Sequence, residues 1–298
     1  MSQRRAKIAA APISWGVCEV PGWGFQMEPT QVLLEMNSLG FDATEFGPEG
    51  FLPTDPSAKA ELLSQHSMVA VGGFVPAILH LAEHDPLPAI IKELEGYAAA
   101  GAATLVLAAS TGIEGYDATR PVLSGADWEI VFGNLERIRA YAESKNVQAV
   151  LHPHVGTMVE NHNDIMRIIS GSTIAFCLDT GHMLIGGSDP VAFSLEHASR
   201  IAHAHLKDVD LKFAEKVQSQ ELTYYDAVIA GLYRPLGKGD VDIRAIVFNL
   251  LTSGYDGWFV LEQDNVLTHE PKGSDGPLAD AKASVEYLRK VIADFYSK

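Results

Sequence analysis

Short apolar runs alternate along this chain with longer stretches whose apolar positions recur every three or four residues. The first pattern has the length of a buried strand, and the second has the period of an amphipathic helix. The runs at residues 7–13, 43–46, 68–75, 104–109, 147–151, 174–179, 201–206 and 258–261 predict strands. Helices are predicted between them. Val32, Leu33, Met36 and Leu39 share one face of a helix that opens at Pro29 and stops at Gly40. Others cover residues 58–65, 86–100, 126–145, a segment opening at Asn163-Asp164, 190–199, 242–251 and 278–296. The clearest is 126–145, with Trp128, Val131, Leu135, Ile138 and Ala142 in one stripe and Asp127 and Glu129 at the positive end of its dipole. A glycine-rich loop runs to Gly125, and a polar excursion covers 210–240. Eight strand–helix alternations without a break in composition predict an α/β fold, a single (β/α)8 TIM barrel spanning residues 1–298. A doubly wound open sheet is the alternative. It is disfavoured because no glycine-rich dinucleotide fingerprint follows the first strand.

In a parallel barrel the carboxyl ends of the strands form one rim, and ligands bind there. The polar residues at those ends are Glu45, His152, His154, Asp179, His182, His203, His205, Lys207 and Glu262. Side chains alternate faces along a strand. Asp179 therefore shares a face with Cys177 and Ala175, His205 with His203, and Glu262 with Val260, so one choice of face aims all three at the barrel axis. The fifth to eighth strands each offer a nitrogen or oxygen ligand: His152 or His154, Asp179, His205 and Glu262. Imidazoles mixed with carboxylates suit Mn²⁺, Co²⁺, Zn²⁺ or Fe²⁺, with Mg²⁺ less favoured because it prefers oxygen. Taken singly, each residue has a plainer reading. Asp179 precedes Thr180-Gly181 and reads as a turn residue, and a lone histidine is more often packed than ligating. Four ligand types on four consecutive strand ends outweigh those readings.

Other signals are weaker. Glu45 is a candidate base or substrate contact, against a rim salt bridge. Trp15 is a candidate to stack on a sugar ring, against simple packing. Arg234, opening the run to Asp240, is a candidate to hold an anionic or polyhydroxyl group, against an ordinary glycine turn. His66, His80, His84, His197 and His269 form no cluster.

Charge narrows the partners. The net charge is −16, which opposes nucleic acid or an anionic membrane as main partner, since both require a basic footprint. No apolar run is long enough to cross a bilayer. The basic stretch Met1-Ser2-Gln3-Arg4-Arg5 leads into no cleavage signature, so no signal peptide is expected. Two cysteines, Cys18 and Cys177, are too few for a disulfide framework, and Cys177 reads as a small core residue. A cytoplasmic setting is the default expectation.

The runs Leu178-Asp179-Thr180-Gly181-His182, His203-Ala204-His205-Leu206-Lys207-Asp208 and Pro235-Leu236-Gly237-Lys238-Gly239-Asp240 resemble the xylose-isomerase-like barrels, the sugar phosphate isomerase/epimerase superfamily that includes endonuclease IV. Within it the chain resembles the inosose dehydratases of inositol catabolism. The residues carrying that match are Ala11-Pro12-Ile13-Ser14-Trp15, Thr44-Glu45-Phe46-Gly47, His152-Pro153-His154-Val155-Gly156-Thr157 and Leu261-Glu262-Gln263-Asp264. The resemblance implies a metal held by a Glu after the fifth strand, an Asp after the sixth, a His after the seventh and a Glu after the eighth. Asp179, His205 and Glu262 match the last three, and histidines stand where the first Glu belongs. Epimerases of this fold use two glutamates on opposite faces of the substrate, so the departure favours a one-face elimination. The segment 265–277 is longer than the dehydratase pattern.

The resemblance therefore implies a metal-dependent lyase acting on a small cyclic polyhydroxy ketone, 2-keto-myo-inositol, through an enediolate. His182, Glu45 and the second strand-five histidine compete as base, Lys207 assists the departing hydroxyl, and His203 and Asp208 support the site. The rival is an isomerase or epimerase of a keto-sugar or inosose. An abasic-site endonuclease is opposed by the acidic charge, and a barrel kept only for binding by the full ligand set. The sequence leaves a homo-oligomer open.

Overall fold

The computed structural model describes residues 6–272 and 276–297. The basic stretch 1–5, and Gly273, Ser274 and Asp275 of the long segment 265–277, lie outside the described residues. The strands, in chain order, are β1 (Lys7–Ala10), β2 (Ala43–Thr44), β3 (Val69–Ala70), β4 (Gly72–Ile78), β5 (Thr104–Ser110), β6 (Gln148–Leu151), β7 (Ala175–Asp179), β8 (Ile201–Leu206), β9 (Asp208–Val209), β10 (Tyr233–Arg234) and β11 (Trp258–Leu261). Nine form one sheet in the order β3-β2-β1-β11-β8-β7-β6-β5-β4. Every pairing in it is parallel.

The two ends of that order are one run of chain. β3 and β4 are separated only by Val71, whose N–H donates to Thr44 O (2.9 Å) on one side and whose carbonyl accepts from Thr104 N (3.1 Å) on the other. The predicted third strand is thus a joint that closes the barrel, its first half on β2 and its second on β5. Gly72 allows the approach: a Cβ there would lie 1.9 Å from Thr104 O. Eight strand–helix repeats close, as the alternation predicts.

Alternation along the strands sorts the core into two layers. Ala9, Ala11, Ala43, Val71 and Val260 cluster inside the barrel, with Val106, Val150 and Cys177 as a second group. These are small side chains, which is what a narrow barrel interior accepts. Leu105, Leu107, Leu151, Phe176, Leu178, Leu206, Phe259 and Leu261 face outward and belong to the main core shared with the helices.

Several boundaries move for local reasons. The predicted helix 86–100 breaks at Gly96 into Leu87–Glu95 and Tyr97–Ala100. The helix expected at 58–65 starts earlier, at Pro56, because Asp55 caps it through Ala58 N (2.8 Å). Capping boxes set the starts of Gly125–Ser144 (Ser124 with Asp127) and His162–Gly171 (Asn161 with Asp164). The helix expected at 190–199 runs over Pro190–Glu196 and is followed by a short 3-10 turn, Ala198–Arg200. The polar excursion 210–240 carries helices Leu211–Gln218 and Tyr224–Ile229 and the antiparallel pair β9–β10. No helix among the described residues is long and apolar enough to cross a membrane.

Candidate active site at the barrel rim

Asp179 ends β7 and divides its two oxygens between two tasks. Oδ1 accepts the N–H groups of Gly181 (2.9 Å) and His182 (2.8 Å) and so caps the helix Thr180–Ile185. Oδ2 faces into the barrel, 3.2 Å from His152 Nε2, 3.5 Å from Lys207 Nζ and 3.6 Å from His205 Nδ1. The helix cap thus uses one oxygen and leaves the other facing the cluster. Glycine is required next door, since a Cβ at Gly181 would lie 2.7 Å from Lys207 Cβ and 2.9 Å from the Tyr233 ring.

His205 stands at the centre. Its Nε2 lies 2.9 Å from Glu45 Oε1, and His203 Nε2 lies 2.8 Å from the same oxygen. Its Nδ1 lies 3.2 Å from Glu262 Oε2, yet it makes no hydrogen bond. One ligand atom each from Asp179, His205 and Glu262 lies within 4.8 Å of the others. All three residues are buried. Carboxylate oxygens stand at both ring nitrogens, Glu45 at Nε2 and Glu262 and Asp179 at Nδ1, and together they favour positive charge there. In the metal-free protein that charge is a proton: burial opposes it, but Cys177, Glu262 and Glu45 hold the His205 imidazolium well above the usual histidine range. A divalent cation would satisfy the same three atoms, so this donor set fits one. Burial alone would push the Glu45 carboxyl up, but His205 and His203 overcome it and hold it far below the usual range.

The two strand-five histidines separate. His152 reaches Asp179 and stands beside His205, with ring centroids 5.0 Å apart. His154 turns away: its Nδ1 lies 2.7 Å from Val155 O, and its ring stacks on His182 at 3.6 Å and on Tyr116 at 4.4 Å. Burial keeps the His154 imidazole well below its usual range, hence neutral at neutral pH.

Lys207 is the second charged centre. Its Nζ lies 2.7 Å from Asp264 Oδ1, 2.9 Å from His182 Nε2 and 3.1 Å from Glu262 Oε2. Burial disfavours the ammonium, but Asp179, Asp264 and Glu262 outweigh it and raise its pKa well above the usual lysine range. Asp264 also accepts from Tyr224 OH (2.5 Å), and Tyr224 OH lies 2.9 Å from Tyr233 OH.

A cavity of about 600 Å³ opens over this cluster, lined among others by Glu45, His152, His154, His205, Lys207 and Glu262. Several residues expected to touch substrate are absent from its wall. Trp15 lies in a 3-10 turn, Pro12–Trp15, that buries the indole on the helix side of the barrel, where Nε1 donates to Glu35 Oε2 (2.7 Å). Arg234 on β10 is held by Asp210 (3.1 Å). Asp208 accepts backbone N–H groups from Val209, Gly237, Gly239 and Val241, at 2.7–3.0 Å, and so anchors the glycine turn rather than a ligand. His203 sits beneath Glu45, and His182 lies behind His154. Conversely, Asp264, Tyr116 and Phe74 line the cavity and were not foreseen in that role. Of these, only Asp264 had a sequence signal, in the Leu261-Glu262-Gln263-Asp264 run.

Imidazoles and carboxylates gathered on the carboxyl ends of a closed parallel barrel, around one deep cavity, mark the barrel enzymes that work on small molecules. The chain belongs to the xylose isomerase-like TIM barrel family, whose pattern residues 33–291 match. It is 32% identical to the rhizopine catabolism protein MocC of Rhizobium meliloti, over 96% of this chain and 89% of that one. It is 30% identical to an inosose dehydratase of Geobacillus kaustophilus, over 96% of this chain and 94% of that one. Among solved structures, L-ribulose 3-epimerase superposes with a TM-score of 0.71 at 15% identity, covering 98% of this chain and 96% of that one. A zinc-bound IolI protein gives 0.68 at 13%, covering 98% and 100%.

Proposed function

We propose that this protein is a metal-dependent carbon–oxygen lyase that removes water from a cyclic polyhydroxy ketone of the inosose type, with 2-keto-myo-inositol as the reference substrate. Near-full-length likeness to an inosose dehydratase supports the substrate class. The observation that carries the chemistry is the convergence of Asp179, His205 and Glu262 beside a neutral, oriented His154.

Asp179, His205 and Glu262, with His152 as fourth ligand, would hold a divalent cation, Mn²⁺ or Co²⁺ ahead of Mg²⁺ because two donors are imidazoles. Bound there, it supplies Lewis-acid polarisation of a ketone oxygen. His154 takes the α-proton. Its Nδ1–H is committed to Val155 O, which leaves Nε2 as the basic nitrogen of a residue on the cavity wall. The C–H electron pair moves into the ring, the neighbouring C–O bond breaks, and the departing hydroxyl takes a proton from Lys207 to leave as water. Asp264 and Glu262 keep Lys207 charged and aimed. Glu45 fixes the His205 ring rather than acting as base, since His203 and His205 both claim its Oε1. A cytoplasmic location goes with this reading, since Cys18 and Cys177 are both free.

The rival is an epimerase on the same cluster. Proton exchange tests the base: in D₂O the wild-type enzyme should place deuterium α to the ketone, and His154→Gln should lose that exchange while keeping its metal. Undiminished exchange in His154→Gln would refute the assignment.

A further inference from the structure

The substrate cavity is larger than one ring requires. An apolar cavity of about 150 Å³ holds benzene, so a six-membered ring with an oxygen on every carbon needs roughly twice that. The cavity here holds about 600 Å³. The surplus is a built arm leading away from the metal-ligand cluster.

Its origin is the barrel joint. β2 is two residues long and pairs with β3, while β4 pairs only with β5. The bond from Phe46 N to Gly72 O (2.9 Å) ties the two sides together, and Phe46 and Phe74 beside it both line the cavity. From there the cavity extends to the helices Pro56–Gln65 and Leu87–Glu95, whose Lys59 and Glu93 line it. Gly73 lines the cavity and lets Phe46 and Tyr97 pack closely over it: a Cβ there would lie 3.1 Å from both the Phe46 ring and Tyr97 OH.

The lining has a consistent chemistry. Phe74 is shared by both ends, its ring edge-on to His152 at 5.8 Å. Phe74 is partly exposed, whereas Phe46 is buried against Tyr97 and carries Lys59 Nζ 4.5 Å from its ring centroid, so Phe46 sets the position of the ammonium. Lys59 is half-buried and makes no ion pair among the described residues, with Glu93 and Glu49 as the neighbouring carboxylates. One partly exposed aromatic ring, Phe74, with both ammonium and carboxylate groups along the same cavity matches a polyhydroxylated ring. Its C–H face packs on the aromatic ring, and its rim hydroxyls donate to carboxylates and accept from ammonium. A lone anionic substituent would meet Glu49, Glu93 and Glu95 as well as Lys59 and Lys92.

We infer that the arm bounded by Phe46, Phe74, Lys59 and Glu93 binds a second sugar or cyclitol ring, so that the protein accepts glycosylated ring ketones or their polyol analogues. This rests on the reading of the cluster end as a polyol site.

Ligand-observed NMR titration of the metal-loaded protein with three unreactive probes tests it: myo-inositol, its α-galactoside and myo-inositol 1-phosphate. The galactoside should bind at least ten-fold tighter than myo-inositol and displace it, and Lys59→Met should bring that ratio close to one. Methionine keeps most of the Lys59 side-chain length against Phe46 and no ion pair is lost among the described residues, so the variant should fold, and a thermal melt checks this. Equal affinity of myo-inositol and its galactoside would overturn the second ring while leaving the cluster reading in place. A gain for the phosphate alone would assign the arm to an anion and overturn it too. No binding by any probe would overturn both.

Discussion

Replacing Lys207 by methionine separates the two ways in which this site can balance its charge. The ammonium lies within 3.5 Å of Asp179, Glu262 and Asp264, all buried. Removing one partner from a buried ion pair costs about 3–5 kcal/mol, because the remaining charge stays desolvated. At this chain length each kcal/mol shifts the midpoint by about 2 °C, so the metal-free variant should melt roughly 6–10 °C below the metal-free wild type. On the proposed ligand set, lysine and cation would share Asp179 and Glu262. Their gross repulsion at 4 Å is about 8 kcal/mol at an effective dielectric constant near 20. Most of that is offset by the carboxylates between them, but about 1.4 kcal/mol surviving makes the variant bind metal ten-fold tighter. Added Mn²⁺ should therefore raise the melting point more in Lys207→Met than in wild type, while turnover should collapse for want of the proposed proton donor. The assays are scanning calorimetry with and without Mn²⁺ and a chelator-competition titration. The Lys207 pKa is raised, so its contribution is present below the unfolded value and constant from pH 6 to 9. Measurements in that window compare like with like. Equal melting points, or equal metal affinity, would refute the reasoning.

Three further substitutions test other parts of the account. Tyr224→Phe removes the hydroxyl held by Asp264 and Tyr233; kcat should fall about ten-fold with KM little changed, as steady-state kinetics would show. Gly72→Val places a side chain against Thr104 O at the barrel joint and should shift the thermal midpoint down by many degrees or leave the protein insoluble. Glu136 accepts from Thr173 N, Thr173 Oγ1 and Arg139 Nε; burial raises its pKa, and those donors pull it down to about 2. A depressed carboxyl stabilises the fold above its unfolded pKa and loses that contribution as pH falls toward 2. Glu136→Gln should therefore be less stable than wild type at pH 7, by under about 1 kcal/mol because the group is partly exposed. Denaturant titration should find that gap closing by pH 2–3.

Much of the fold is written in the two hydrophobic periods, because strand and helix segments that bury one face cannot avoid showing them. The parity that aims Asp179, His205 and Glu262 inward follows from the same alternation. Where the reading slips, tertiary contact decides. The break at Val71 inside one apolar run exists because its two halves pair with different strands. Trp15 looks like a rim aromatic, yet a 3-10 turn rotates it to Glu35 on the helix side. Asp208 stands in the most conspicuous motif, yet four backbone N–H groups claim its carboxylate, a fact settled by the path of residues 237–241. Tyr116 comes from a loop and Tyr224 opens a helix of only six residues, Tyr224–Ile229, inside the polar excursion; neither carries a readable period, so only the assembled barrel shows them near His154 and Asp264. The helix Thr180–Ile185 is hidden in glycine and histidine, and Asp179 creates it by capping.

The central claim is elimination of water at the Asp179–His205–Glu262 cluster. Its most direct test is mass spectrometry of 2-keto-myo-inositol incubated with Mn²⁺- or Co²⁺-loaded protein, beside an Asp179→Ala control. The account predicts a metal-dependent product one water lighter, absent with the variant. Substrate of unchanged mass in H₂O that gains deuterium in D₂O would contradict it and make the protein an isomerase or epimerase.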